Sequence, residues 1–439
     1  MKPFNIAVLG CGVVGSGVVK ILSDMKDKLS EKANCNINLS KIVELSPGKV
    51  LEKLNIPMDL FCGGGKDLTV DEANNYINEL VNSNDIDLVV ETIGGSSKQI
   101  LDTTLKIIKS KKHVVTANKA LLALHGDKIF NSVEENDIAL GFEASVCGAI
   151  PIIKTIKESF VGDEIISISG IMNGTSNYIL SKMEEENLSF KDALKLAQKK
   201  GYAEADPTLD INGGDAAHKL ILLIRLAFGV SIKFNDLHIE GIEKIKKEDL
   251  DFANEMDSCI KLICYTEKKD NKIFASVRPT MVKKTNFLSR INGATNAVRV
   301  HNKYSGSHLL IGKGAGSLET ASAIVSDIVY IARYNSAMKS CNKLLDNKLI
   351  DPDEFHSPYT LIFETEDEPG ITGLVTTAIG NQNINIDTVG HNRHNKEKAE
   401  FSIVTMACSL GQIKKAINEI KAKKPCVMIS EPTIIPVLQ

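Results

Sequence analysis

The chain has 439 residues, 43% of them hydrophobic and 24% charged, with a net charge of −3 and a pI near 6.3. That is the balance of a soluble globular protein, too long for one ordinary core and fitting two or three domains. So small a net charge offers no bulk attraction to a polyanion, which sets nucleic acid aside as a partner. The opening MKPFNIAVLG lacks the apolar core of a signal peptide, and no later stretch approaches the ~18 uninterrupted apolar residues of a membrane span, so a cytoplasmic location is expected. Nine cysteines without a Cys-x-x-Cys pair read as reduced and mostly buried. Cys147 has no neighbouring histidine to activate it and reads as a small packed residue.

Phe4 to Leu9 is a short apolar strand, followed at once by Gly10-Cys11-Gly12-Val13-Val14-Gly15 and a helical segment from near Ser16. Between a strand and a helix, G-x-G-x-x-G lets the chain turn tightly and brings the amides of Cys11, Val13 and Val14 toward a pyrophosphate. Strand and helix signals then alternate. Strands are predicted at Ile37–Glu44, Ile86–Glu91, His113–Thr116 and Ile138–Phe142, with helices in Val70–Asn82, Ser96–Ile108 and Leu121–Glu135 between them. The alternation predicts an α/β chain with a Rossmann-type, doubly wound, mostly parallel sheet, whose ligands lie beyond the carboxyl ends of the strands. Glu91 to Gly95, Thr116 to Lys119 and Glu143 to Val146 fall there. Lys119 opens a helix, where a cation opposes the helix dipole, and reads equally as a functional or an exposed lysine. At the end of the second strand, Glu44 offers an acceptor for a ribose 2′-hydroxyl and Lys49 a cation for a 2′-phosphate, and the spacing decides neither.

Beyond Gly148 the pattern changes. Pro151 opens a helix to about Phe160, a strand-like Ile165–Ile171 runs into Asn173-Gly174-Thr175-Ser176-Asn177, and two helical stretches lead to Gly201. Asn-Gly-Thr-Ser before a helix offers free amides and hydroxyls suited to a carboxylate, and reads equally as an ordinary N-cap. From Gly201 to Lys219 runs GYAEADPTLDINGGDAAHK, a polar loop with Glu204, Asp206 and Asp210 that feeds a nearly all-apolar helix, in which only Arg225 interrupts Leu220 to Phe228. Asp215 and Lys219 are an i, i+4 pair at the start of that helix. Charges drawn into a buried helix need a partner, and a buried lysine shifts its pKa readily, which suits it to donate a proton near neutral pH.

Ile260–Tyr265 and Lys272–Val277 read as antiparallel strands of an inserted α+β domain. Gly312-Lys313-Gly314-Ala315-Gly316 precedes a helix that returns to the first domain. The expected organisation is residues 1–150 for dinucleotide binding, completed by a helix over 312–338, then 151–311 for substrate binding and catalysis, a linker over 339–358, and a tail from 359 to 439. The tail reads as βαββαβ, a ferredoxin-like unit with its last strand at Val427–Glu431.

Taken in order, G-C-G-V-V-G, E-T-I-G-G, T-A-N-K-A, N-G-T-S-N-Y-I-L, G-Y-A-E-A-D-P with D-I-N-G-G-D-A-A-H-K, and G-K-G-A-G resemble homoserine dehydrogenase, and the tail resembles an ACT regulatory domain. The likeness is to the monofunctional form. It implies NAD(P)H-dependent reduction of L-aspartate 4-semialdehyde to L-homoserine, on the route to threonine, methionine and isoleucine. By resemblance, Lys219 is the acid, Lys119 polarises the oxygen and Asp215 orients Lys219. Glu204, Thr175, Tyr202 and Asp210 would surround the substrate. Gly10 to Gly15, Thr92, Ile93, Gly94, Thr116, Lys119, Gly314 and Gly316 would hold NADP or NAD. A sodium ion on main-chain oxygens of Glu143, Val146, Gly148 and Ile150, an amino-acid effector at the tail and a homo-oligomer are also implied. The basic residue common in the family near Leu45 or Ser46 is absent, so both dinucleotides stay open. Two other readings compete. A semialdehyde dehydrogenase needs an activated cysteine and none is evident, and an amino-acid sensor on a dead dinucleotide scaffold has no use for Glu204, Asp215, Lys119 and Lys219 together.

Overall fold

The computed structural model describes residues 2–52, 54, 56–334, 348–392, 398–425 and 428–438. Strands β1 (Pro3–Leu9), β2 (Asn36–Val43), β3 (Leu88–Glu91), β4 (His113–Thr116) and β5 (Leu140–Gly141) form an all-parallel sheet in the order β2-β1-β3-β4-β5. The interior of β1 and all of β3 are buried, as expected of parallel strands covered on both faces. The register aligns the carboxyl ends: Leu9 lies opposite both Val43 and Glu91, and Glu91 lies opposite Thr116. One row of turns therefore carries Gly10, Glu44, Thr92 and Ala117 side by side.

Helix α1 (Val13–Asp24) starts three residues earlier than its apolar pattern suggests, because Gly12 caps it directly off the turn. Helix Ser317–Tyr334 returns to this sheet and shares a core with β1 and α1 through Ala321, Ile324, Ile328 and Ile331. Gly17 makes the approach possible: a Cβ there would stand 2.7 Å from the Ser317 carbonyl oxygen. The helix starts at Ser317 rather than at residue 312, since Gly312 and Lys313 end a strand; residues 335–338 of the expected span lie outside the described residues.

β6 (Ile165–Ile171) belongs to a second sheet with Gly306–Lys313, Thr295–Asn302, Ser258–Lys269 and Lys272–Lys283, the last two longer than the alternation predicts. The central helix Gly214–Phe228 is buried almost all round, against this sheet and helix Lys119–Glu135. The one charge within its apolar run Leu220–Phe228 is handled across that contact. The Arg225 guanidinium reaches Asp127 at 2.5 Å and stacks on Phe130 with 4.5 Å to the ring centroid. This clamps the helix bearing Lys219 to the helix bearing Lys119.

The tail is βαββαβ with the internal strand order 4-1-3-2 of a ferredoxin-like unit. Its last strand is Thr433–Leu438, not Val427–Glu431. Met428 makes only an isolated bridge to Thr365, while the apolar Ile434, Ile435, Val437 and Leu438 take the ladder despite Pro436. Val437 and Leu438 also pair in parallel with Met281 and Val282, so the tail and the second sheet are continuous. The expected linker carries two short strands, Lys348–Leu349 and His356–Ser357; its residues 339–347 lie outside the described residues. The seven described cysteines are free and buried, and no helix among the described residues is long and apolar enough to cross a membrane.

Candidate active site

The glycine turn is built as its spacing demands. Gly10 has φ +82°, and a Cβ there would meet the Thr92 backbone at 2.9 Å; one on Gly15 would stand 2.1 Å from the Gly10 carbonyl oxygen. Above Gly12 there is open space within 4 Å of a built Cβ, and no side chain caps the amides that begin α1. An uncapped helix start beside an open glycine fits a dinucleotide pyrophosphate.

One expected donor is already engaged. The Cys11 amide donates to Glu44 Oε2 at 2.5 Å, and Ser46 donates to Glu44 Oε1 at 3.1 Å, so Val13 and Val14 are left to face a ligand. Burial, reinforced by Glu44, pushes the Cys11 thiol up to about 12. Thr92 and Thr116 also turn inward. Thr92 Oγ1 donates to the carbonyls of Gly10 and Leu9, and Thr116 Oγ1 donates to the buried carboxylate of Glu91 at 2.6 Å. Glu91 in turn accepts from the amides of Ile93 and Gly94, which shapes the turn that exposes the Ile93 side chain. The Lys49 side chain lies outside what the structure describes.

The opposite wall is a charged cluster. Lys219 is buried; its ammonium donates to Asp215 Oδ2 at 2.7 Å and to the Met172 carbonyl at 2.6 Å. Lys119, at the start of its helix beyond β4, reaches the other oxygen of Asp215 at 3.2 Å. The Lys219 ammonium is kept charged, as its pairing with Asp215 implies. Burial pushes its pKa down, but Asp215, with Cys147 and Asp210 adding to it, outweighs burial and holds it above the ordinary lysine value. Asp215 is held well below the carboxylate range despite burial, by the two ammonium groups and Asn173. Asp210 is raised, chiefly by burial.

Two asparagines organise this cluster: Asn173, whose expected N-cap role is met, and Asn118, named in the sequence only within the Thr116–Lys119 segment. Asn173 Nδ2 donates to Asp215 Oδ2 and to Asp210 Oδ1, both at 2.7 Å, while its oxygen caps helix Gly174–Glu185 at Ser176. Asn118 caps the helix of Lys119 and donates to the Gly95 carbonyl at 2.7 Å. In both places the signal is an asparagine just ahead of a helix. Thr175 Oγ1 donates to the Tyr202 carbonyl at 2.6 Å, tying the helix start to the Gly201–Pro207 loop. Glu204 is exposed on that loop, outside the hydrogen-bonded cluster. Of the turn that carries Gly314 and Gly316, it is the following Ser317 that meets the glycine turn, its Oγ donating to the Val13 carbonyl at 2.5 Å, while Gly314 packs on Asn296 and Gly148.

The segment Glu143–Ile150 joins the two sheets. Cys147 and Gly148 both have positive φ, +54° and +51°, and Gly148 packs on the returning turn, where a Cβ would meet the Gly314 oxygen at 2.7 Å. Among the described residues the buried carbonyls of Val146 and Gly148 accept no hydrogen bond, whereas those of Glu143 and Ile150 accept from Val146 and Ile152. Two carbonyls without a hydrogen bond in one tight turn of buried residues fit a hard cation. The Glu143 side chain is used separately. It accepts from the amides of Ile153 and Lys154, both at 2.8 Å, and burial followed by nearby Asp327 raises its pKa to about 7.

A raised carboxyl contributes stability that is full below its unfolded value of 4.5 and is lost as pH rises through about 7. Glu143→Gln, whose amide accepts from only one of the two backbone donors, should therefore lower stability at acid pH, where the wild-type carboxyl is neutral. It should also flatten the pH dependence, removing on the order of 3 kcal/mol of the decline between about pH 5 and 8. Thermal melts across that range check the slope; a variant as steep as the wild type would refute the assignment.

An aligned row of parallel strand ends with an open glycine turn, facing a buried lysine–aspartate pair, defines a dinucleotide-dependent oxidoreductase. Family models described as "Homoserine dehydrogenase, NAD binding domain" and "Homoserine dehydrogenase" match residues 10–143 and 151–329. The homoserine dehydrogenase of Neisseria gonorrhoeae is 38% identical over 443 residues, 98% of each chain, and that of Helicobacter pylori 38% over 408 residues, 92% of each. The crystal structure of a homoserine dehydrogenase from Thiobacillus denitrificans superposes with a TM-score of 0.91 at 32% identity, covering 100% of this chain and 99% of that one. The chain belongs to the homoserine dehydrogenase family, NAD(P)-dependent oxidoreductases acting on a CH–OH group.

Proposed function

We propose that Lys219 is the proton donor in the reduction of L-aspartate 4-semialdehyde to L-homoserine, and the acceptor in the reverse direction. A bound reduced dinucleotide supplies the hydride. As the aldehyde carbon is reduced, its oxygen becomes an alkoxide and takes a proton from Lys219 Nζ. Lys119 stands beside that oxygen and offsets its developing charge. Asp215 keeps Lys219 charged between turnovers and pairs with Lys119. Glu204 accepts from the substrate ammonium, with Thr175, Tyr202 and Asp210 framing the rest. The observation that carries this reading is that one buried carboxylate holds two ammonium groups, one from each lobe, at 3.2 and 2.7 Å. Initial rates of homoserine oxidation with NAD and NADP separately test it; no turnover with either refutes it.

Between the dinucleotides, Glu44 favours NAD. Its carboxylate is anchored by two amides at the end of β2, where a 2′-phosphate would meet it as a like charge and a 2′-hydroxyl as a donor. Glu44→Ser should raise the NADP/NAD ratio of kcat/KM by about tenfold or more. An unchanged ratio would count against Glu44.

Resemblance supports the remaining readings. They are NAD or NADP at Gly10–Gly15, Thr92–Gly94, Thr116, Lys119, Gly314 and Gly316, and sodium on main-chain oxygens of Glu143, Val146, Gly148 and Ile150. They also include an ACT tail open to an amino-acid effector, a homo-oligomer and a cytoplasmic location. Adding threonine to the same assay tests the tail, and omitting sodium tests the cation.

A further inference from the structure

Asn296 is fully buried, yet neither its Nδ2 nor its Oδ1 has a hydrogen-bond partner of ordinary geometry. It lies in strand Thr295–Asn302 opposite Gly312, at the point where three backbones of the cleft converge. A Cβ on Gly314 would stand 2.1 Å from Asn296 Nδ2, so only glycine lets the returning turn lie flat on the amide. A Cβ on Gly174, where the helix of Thr175 begins, would stand 3.4 Å from Oδ1. Burial raises the pKa of the Cys147 thiol, a rise that Lys219 and then the nearby Asn296 amide oppose, and Gly148 packs on Gly314. Cofactor side, substrate side and the turn between the sheets thus meet on a single side chain.

A filler at this point would be apolar, since a buried amide with both groups unmet is costly and asks for a second arrangement in which it is met. The neighbour best placed to supply one is the Gly314–Gly316 turn. Gly316 has φ +139°, and the following Ser317 hydroxyl is bonded to Val13 of the glycine turn. A ligand seated against Val13 therefore bears on the backbone that covers Asn296. We propose that Asn296 is a positioning residue: its amide takes up backbone hydrogen bonds from the Gly314–Gly316 turn when a dinucleotide binds, and so fixes the dinucleotide relative to the start of helix Gly174–Glu185. The proposal rests on the reading of Gly10–Gly15 as the dinucleotide seat.

The test uses the full chain and NAD. In the wild type, NAD should slow amide hydrogen exchange in residues 145–150 and 312–317 together. Asn296→Leu, of similar size and apolar, should leave the Tm of the free protein at or above wild type while shrinking the NAD-induced rise in Tm. Its kcat should fall by about tenfold, the equivalent of one lost hydrogen bond, with the KM for homoserine moved less than about threefold. Wild-type exchange in 312–317 that ignores NAD overturns the proposal. So does an Asn296→Leu protein with a lowered free Tm but normal turnover per folded molecule, which marks a structural residue. If that variant does not fold, Asn296→Ser takes its place under the same criteria. A wild-type Tm that NAD does not move would remove the seat and the proposal together; a full NAD response retained in the variant removes the proposal alone.

Discussion

Lys219→Ala should lower kcat for homoserine oxidation by about 10²–10⁴-fold, the usual contribution of a positioned acid–base group. The NAD-induced rise in Tm should survive, because the glycine turn makes no contact with this side chain. The free protein should also lose stability. Lys219 donates to both Asp215 and the Met172 carbonyl, and removing one partner of a buried pair costs about 3–5 kcal/mol. Turnover must accordingly be expressed per folded molecule. Lys219→Arg separates charge from chemistry: it keeps a cation for Asp215 but gives up a proton far less readily, so it should restore stability without restoring kcat. Wild-type turnover in the alanine variant would remove the assigned acid.

How much of this was legible depended on how local each feature is. Phe4–Leu9 followed by Gly10-x-Gly12-x-x-Gly15 announces a strand, turn and helix within a dozen or so residues, and the structure builds them there. Asp215 and Lys219 are neighbours by helix geometry alone, and the apolar run behind them foretold their burial. That Lys119 shares the same carboxylate is a product of the clamp between two helices, at Arg225 and Asp127, and no spacing encodes it. The same holds for Glu44 and Cys11, which are brought together by the parallel register of β1 and β2. That Asp215 keeps Lys219 charged follows from their i, i+4 spacing, and the structure agrees, with the carboxylate at 2.7 Å and the lysine raised. The last tail strand was misplaced because Pro436 argues locally against a strand, while pairing with Tyr359 and the second sheet decides the matter.

Asp215→Ala should be as damaging as loss of the lysine, by a different route. Without the carboxylate, Lys119 and Lys219 face one another with no counter-charge, in a site where Lys219 is buried. Burial then acts unopposed by its main partner and the Lys219 pKa falls. The sign of the consequence depends on direction. Aldehyde reduction needs the ammonium form, so the alkaline limb of its pH–rate profile should move to lower pH by about one unit or more. Homoserine oxidation needs the neutral amine, so its acid limb should move the same way, and the variant should retain more of its oxidative than its reductive rate at neutral pH. Asn173 loses one of its two acceptors but keeps Asp210, which leaves the start of helix Gly174–Glu185 capped and the substrate wall in place. A fall in kcat with both limbs unmoved would mean that Asp215 holds the substrate rather than the proton donor, and the coupling of the two lysines through it would have to be abandoned.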